Sequence, residues 1–175
     1  MAKQDAGKST SNLVSPSTPA ARVAAFIGLL AVLVSAVSLL PVAAIRPLSD
    51  GTALMAHRLL SMVGLRASLL GNEIRLPGRT LLIAPDCTGA YLLAVFAALV
   101  ITYNAPLRDK LRALAIGVPS LLGLNMARLV GAGLVAVYLP SSFEFLHDYI
   151  FVVLLMFAVL ALWLLWLNGL RERVA

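Results

Sequence analysis

The sequence predicts an all-α membrane protein, a four-transmembrane-helix bundle with an extracytoplasmic amphipathic helix and a small β-hairpin. Three observations lead there. First, 61% of the 175 residues are hydrophobic, 13% are charged and the mean hydropathy is +0.94, whereas a soluble domain is about 45–50% apolar. Second, the apolar residues gather in four runs, at about 23–45, 88–104, 113–139 and 148–168. Third, the stretch Arg46–Asp86 between the first two runs changes character, with five arginines, His57, Asp50 and Glu73 among shorter apolar pieces. A chain of 18.5 kDa leaves room for one membrane domain, residues 22–175, and no large soluble catalytic domain. The one cysteine, Cys87, excludes an internal disulfide framework and any multi-cysteine metal site.

Taken in order, Met1–Ala21 is rich in Ser, Thr, Pro and Lys, lacks apolar periodicity and reads as a disordered cytoplasmic tail. Val23–Ile45 holds no charge over 23 residues, enough at about 1.5 Å per residue to cross a hydrocarbon core of about 30 Å. A cleaved signal peptide is the rival reading, but the run exceeds the usual apolar region of about 7–15 residues. Within the polar stretch, Thr52–Leu65 places Leu54, Met55, Leu59, Met62 and Val63 at helical spacing, with His57, Arg58 and Ser61 off that stripe. This pattern predicts an amphipathic helix at the interface. Alternation at Glu73–Leu76, turn chemistry at Pro77-Gly78 and renewed β-formers at Arg79–Ile83 predict the hairpin. Trp163 and Trp166 near the end of the last run fit an interfacial aromatic belt.

The pI of about 10.1 and the net charge of +6 come from basic residues scattered between apolar runs, which read as topology signals and not as a nucleic-acid surface. With four spans, Lys3, Lys8, Arg22, Arg108, Lys110, Arg112, Arg171 and Arg173 share one side, against five arginines in the long polar segment on the other. Both termini are therefore expected in the cytoplasm. That topology sets depths. Cys87 lies 16 residues from Tyr103 and Arg128 lies 15 from Ala113, or about 24 and 22 Å of helix. His147 opens the last span from outside, so the thiol, the one intramembrane cation and a histidine are expected together at the outer boundary.

These residue types suit acyl transfer. A thiol attacks as thiolate and needs a neighbouring cation or helix N-terminus to lower its pKa. Cys87 sits in Pro85-Asp86-Cys87-Thr88-Gly89 just ahead of a predicted helix; the bland alternative is a buried, inert cysteine. Arg128 is the stronger signal, because a guanidinium within a span is costly unless it faces a polar cavity or a partner. Asn125 lies one turn earlier on the same face and serves to orient the guanidinium, bond a substrate backbone or bridge helices. Gly123, Ala127 and Gly131 form a small-residue ridge expected to serve close helix packing. His147, beside Asp148 and near Glu144, is the candidate acid or base, with His57 as its competitor on the same side. Asp86 is read either as holding Arg128 or a histidine in place, or as a helix N-cap. No metal-ligand spacing and no nucleotide-binding glycine loop occurs, so no cofactor is expected.

At these residues the sequence resembles the exosortase/archaeosortase family of membrane cysteine transpeptidases. Cys87-Thr88-Gly89 stands at the head of one span, Asn125-x-x-Arg128 within the next and His147 on the external side before the last, and the resemblance covers roughly Leu69–Leu167. It implies an enzyme of the bacterial inner membrane that acts on membrane-tethered proteins bearing a C-terminal sorting signal: a short motif, a transmembrane helix and a basic cluster. It further implies Cys87 as nucleophile of an acyl-thioester, Arg128 as stabiliser of the thiolate or oxyanion and His147 as proton shuttle, with Asn125, Asp86 and Gly89 in support. The implied partners are the substrate's sorting-signal helix and membrane lipids, without nucleic acid. The chain is more compact than longer family members, which have more spans before the cysteine. Some members carry arginine at the third position, which bears on the role of His147. Two other classes compete: a non-enzymatic assembly or channel subunit in which Arg128 pairs with a partner, and a lipid-directed thiol acyltransferase.

Overall fold

The structure, a computed structural model, describes residues 18–172; the expected tail lies outside the described residues up to residue 17, as does Arg173 of the basic count. The element order is α1 (Pro19–Ser38), α2 (Val42–Met62), β1 (Ser68–Leu70), β2 (Glu73–Leu76), β3 (Arg79–Leu82), α3 (Ala90–Thr102), α4 (Leu107–Tyr138), the single turn α5 (Phe143–Phe145) and α6 (Phe151–Glu172). Short 3₁₀ turns at Pro85–Thr88 and Pro140–Ser142 and a π-helical turn at Leu146–Ile150 join them. The all-α membrane class holds. Among the described residues three helices are long and apolar enough to cross a membrane, α1, α4 and the segment Pro140–Glu172, while α3 is apolar but shorter.

The first helix starts and stops earlier than the hydropathy run. Thr18 caps α1 by accepting from the Ala21 amide (3.3 Å), so Pro19–Ala21, expected in the tail, form its first turn. The helix ends at Ser38 because Leu40 precedes Pro41, and a residue before proline is driven out of the α region. Val42–Ile45, expected in the first span, open α2 instead.

The amphipathic helix is longer than expected, and most of its large apolar stripe faces outward, as an interfacial helix requires. Its buried residues are Ser49, Thr52, Ala53, Ala56 and Leu60, whereas Leu54, Met55, Met62 and Val63 are exposed. Small residues on the inner face let α2 lie close to α4, where Leu60 fills the space above Gly133; a Cβ on that glycine would stand 2.4 Å from Leu60 Cδ2. The bulky side chains can face outward because lipid, unlike water, exacts no cost for exposing them. Proline, glycine and polar residues at Pro47–Thr52 hid the first half of this helix from the periodicity.

The predicted hairpin is β2–β3, antiparallel, with Leu76 opposite Arg79 across Pro77-Gly78. Gly78 adopts φ +85°, the left-handed value that the turn requires. β1 joins on the far side of β2, giving the order β1-β2-β3. The core has two parts. The outer one unites α2, the sheet and the C-terminal half of α4 through Leu60, Ile74, Leu76, Ile83, Cys87, Leu129 and Phe143. The inner one packs α3, α4 and α6 around Phe96, Leu121 and Val159. Phe96 lies over Gly117, where a Cβ would come within 2.2 Å of the ring. Tyr103 meets Trp163 and Trp166 edge-on (6.2 and 5.7 Å between centroids), closing the inner end with an aromatic cluster.

Candidate active site

α4 runs 21 residues from Leu107 to Arg128, about 32 Å of helix, or one hydrocarbon thickness. Beyond that level it leaves the apolar bundle and meets α2 and the sheet. The candidate residues cluster at this junction.

Cys87 sits on the 3₁₀ turn Pro85–Thr88, immediately before α3. The Cys87 amide donates to the Ala84 carbonyl (2.9 Å), and the Thr88 hydroxyl donates to the Pro85 carbonyl (2.6 Å) while accepting from the Ala90 amide (3.3 Å). Gly89 then turns the chain into α3 at φ +86°. A Cβ at this position would touch Asn125 Nδ2 (3.3 Å) and Leu122 Cδ2 (3.6 Å), so the turn lies directly against α4. Asn125 is fully buried and donates through Nδ2 to the Cys87 carbonyl at 2.8 Å. The sequence expected Cys87 level with Arg128; the direct hydrogen bond falls one turn earlier on α4, at Asn125.

Arg128 follows on α4, half-buried, with Nε enclosed and without a hydrogen-bond partner; Asn125 Oδ1 is likewise enclosed and unpaired. One acceptor and one donor are thus left open within one turn of α4, and neither residue is in the wall of the cavity that Cys87 and His147 border. Burial of Cys87 and the negative charge of Asp86 push its pKa up, and the Arg128 cation and a backbone hydrogen bond at Ala84 oppose them without prevailing. At rest the sulfur is a neutral thiol.

His147 comes from the π-helical turn, a local departure from α geometry that often marks functional sites. Its Nδ1 meets Asp148 Oδ1 at 2.9 Å. This contact fixes the ring through Nδ1 and leaves Nε2 as the nitrogen not engaged by Asp148. The imidazole stacks on Phe143 (5.1 Å, 15° between planes), and the Arg79 guanidinium stands 4.2 Å from the centre of the same phenyl ring while pairing with Glu144 at 3.7 Å. A cavity of about 160 Å³ has Cys87 and His147 in its wall, together with Leu129, Ala132, Phe143 and the strand segment from Thr80 to Ile83. Cys87 and His147 therefore border one space, closed over by β3 and the α5 turn.

Other expectations fare differently. Asp86 is exposed, α3 has Gly89 at its N-cap without a side-chain bond, and no ion pair among the described residues involves Asp86. It is neither a cap nor a clamp on Arg128; it acts on the thiol through its charge. His57 Nε2 lies 3.2 Å from the Ala67 carbonyl, where it fastens α2 to the sheet away from the cavity wall. In the small-residue ridge only Gly131 is in close helix contact, with Phe151 3.3 Å from an added Cβ, and Gly123 has open space beside it. The tight crossings fall at Gly117 and Gly133. The sequence reading passed over the Thr88 hydroxyl, which ties the Pro85–Thr88 turn to the Ala90 amide, and over the contacts of Arg79 and His147 with Phe143; the four-residue spacing of Phe143 and His147 was its one available signal.

Fold and site together define a multi-pass membrane protein in which a buried thiol and an imidazole share a cavity at the edge of the bundle. The family model described as transmembrane exosortase matches residues 14–166. The chain belongs to the exosortase family, and with that membership it is a membrane protein-sorting transpeptidase, of a family that works through cysteine. No curated protein and no solved structure matches it.

Proposed function

We propose that the chain cleaves C-terminal sorting signals from membrane-tethered proteins at the outer face of the bacterial inner membrane, through an acyl-thioester on Cys87. Because the resting thiol is neutral, a base must take its proton when substrate arrives, and His147 Nε2 is oriented for this by Asp148. The thiolate sulfur adds to the peptide carbonyl carbon, and the charge developing on oxygen is met by the Arg128 guanidinium. Collapse breaks the C–N bond, with the His147 proton passing to the leaving amine. The acyl group remains on sulfur as a thioester until an incoming amine or water attacks it; the incoming proton returns through His147, and Cys87 leaves as a thiol. Asn125 and Gly89 hold the Cys87 turn in place, and Asp86 restrains thiolate formation until then.

The observation that carries this reading is the cavity shared by Cys87 and His147. The orientation, with both termini cytoplasmic, is supported by the basic Arg108–Arg112 loop at one end of the bundle and the site at the other. The test compares C-terminal peptides of membrane proteins from cells carrying wild-type enzyme or Cys87→Ala. The reading expects specific precursors to accumulate uncleaved in the variant; undiminished maturation would remove the thiol from the mechanism and favour a non-enzymatic subunit.

A further inference from the structure

We propose that the substrate's scissile segment binds as an added β-strand on the free edge of β3. The inference rests on the thiol-transfer reading above and specifies how that site recognises polypeptide. β3 is an edge strand, paired with β2 on one side and, among the described residues, with no strand on the other. Side chains alternate faces along a strand, and here Leu81 and Ile83 are buried while Thr80 and Leu82 are exposed. Four consecutive residues, Thr80 to Ile83, nevertheless border the cavity that holds Cys87 and His147. Residues on both faces can border one space only if the backbone edge itself runs along it.

The register shows which groups that edge offers. The Ile83 amide donates to the Asn72 carbonyl at 2.9 Å, placing the Ile83 backbone on the β2 side. In an antiparallel ladder the sense alternates, so Leu81 and Arg79 also face β2, opposite Ile74 and Leu76. The Thr80 amide and carbonyl and the Leu82 amide then point away from β2, and among the described residues neither amide has a backbone partner outside the sheet; the Leu82 carbonyl accepts from Ala84 (3.1 Å). An extended peptide laid along this edge satisfies these groups through its own main chain, which gives affinity with little dependence on side chains. The strand leads directly into the Pro85–Thr88 turn, so a peptide paired with it is carried towards Cys87. Exposed edges invite unwanted pairing and are commonly blunted; leaving one open beside a thiol fits an edge kept for an extended ligand.

The experiment uses full-length enzyme in lipid nanodiscs and a synthetic peptide spanning the cleavage site of a precursor that accumulates in Cys87→Ala cells. Thr80→Pro deletes one outward amide and obstructs the edge, at a position where an edge strand tolerates proline. Peptide cleavage should fall at least about tenfold in kcat/KM, the effect of losing one to two hydrogen bonds and the alignment they give. The reaction of Cys87 with a methanethiosulfonate reagent, which reports an intact turn, should stay at the wild-type rate. If Thr80→Pro does not fold, the decision passes to wild-type enzyme and peptides N-methylated one residue at a time. Losses recurring at every second residue support strand addition. Cleavage of Thr80→Pro within about twofold of wild type, or N-methyl losses without that period, overturns it while Cys87→Ala stays inactive. Continued processing by Cys87→Ala would instead strike the reading beneath it.

Discussion

Gly89→Ala perturbs the site without touching a reacting atom. Gly89 adopts φ +86°, and a new Cβ would stand 3.3 Å from Asn125 Nδ2 and 3.5 Å from its Cγ. A non-glycine residue in the left-handed region costs about 1–2 kcal/mol. Asn125 must also yield by a few tenths of an ångström, weakening its 2.8 Å bond to the Cys87 carbonyl, a contact worth about 0.5–1.5 kcal/mol. The sum, about 1.5–3.5 kcal/mol, corresponds to a fall in Tm of about 3–14 °C for a chain of this size. Relief is available by swinging the Pro85–Thr88 turn, and a displacement of about 1 Å at the nucleophile lowers turnover by about 10²-fold. The assay pairs thermal unfolding, followed by a thiol-reactive dye on the single cysteine, with the processing rate in membranes. Unchanged Tm together with wild-type processing would refute the claim that this glycine and Asn125 jointly fix the sulfur.

Other expectations follow from the same geometry. The alkylation rate of Cys87 should rise with pH through a midpoint above the ordinary thiol value of about 8.5, because burial and Asp86 disfavour the thiolate; Asp86→Asn should move the midpoint down and Arg128→Gln should move it up, and shifts of the opposite signs would contradict the assigned fields. Since the fold holds the neutral thiol, stability from this group is full at low pH and declines as pH rises past the unfolded thiol's pKa towards the higher folded one; chemical denaturation across that window, with Cys87→Ala as control, checks the sign. Arg128→Lys should be nearly inactive in processing, since a point charge does not reproduce the planar fork; wild-type turnover would deny Arg128 a specific role. An impermeant thiol reagent should label Cys87 in intact cells, and labelling only after lysis would invert the topology.

Much of the fold was legible because a membrane simplifies the code: apolar runs marked the helices, and Pro77-Gly78 marked the hairpin turn. Counting along straight helices set Cys87 level with Arg128, and the direct contact falls one turn short of that, at Asn125. In α2 the stripe of Leu54, Met55 and Met62 expected at the interface does face outward, but the packing face, Ala53 and Ala56, is made of small residues that a stripe of large apolar side chains does not single out. The role of Asp86 was also hidden, since a residue ahead of a helix looks like a cap unless the intervening turn is known. The placement of Arg79 over the Phe143 ring that stacks on His147 joins segments far apart in the chain, and the cavity wall at β3 depends on sheet order that no single-strand pattern encodes.

The most direct test is the intact mass of the enzyme recovered from turnover with substrate in excess and quenched in acid. The account predicts a hydroxylamine-sensitive adduct on Cys87 whose mass equals the peptidyl portion upstream of the cleaved bond. A fatty-acyl mass at that sulfur, or turnover that proceeds with the thiol never modified, would contradict it.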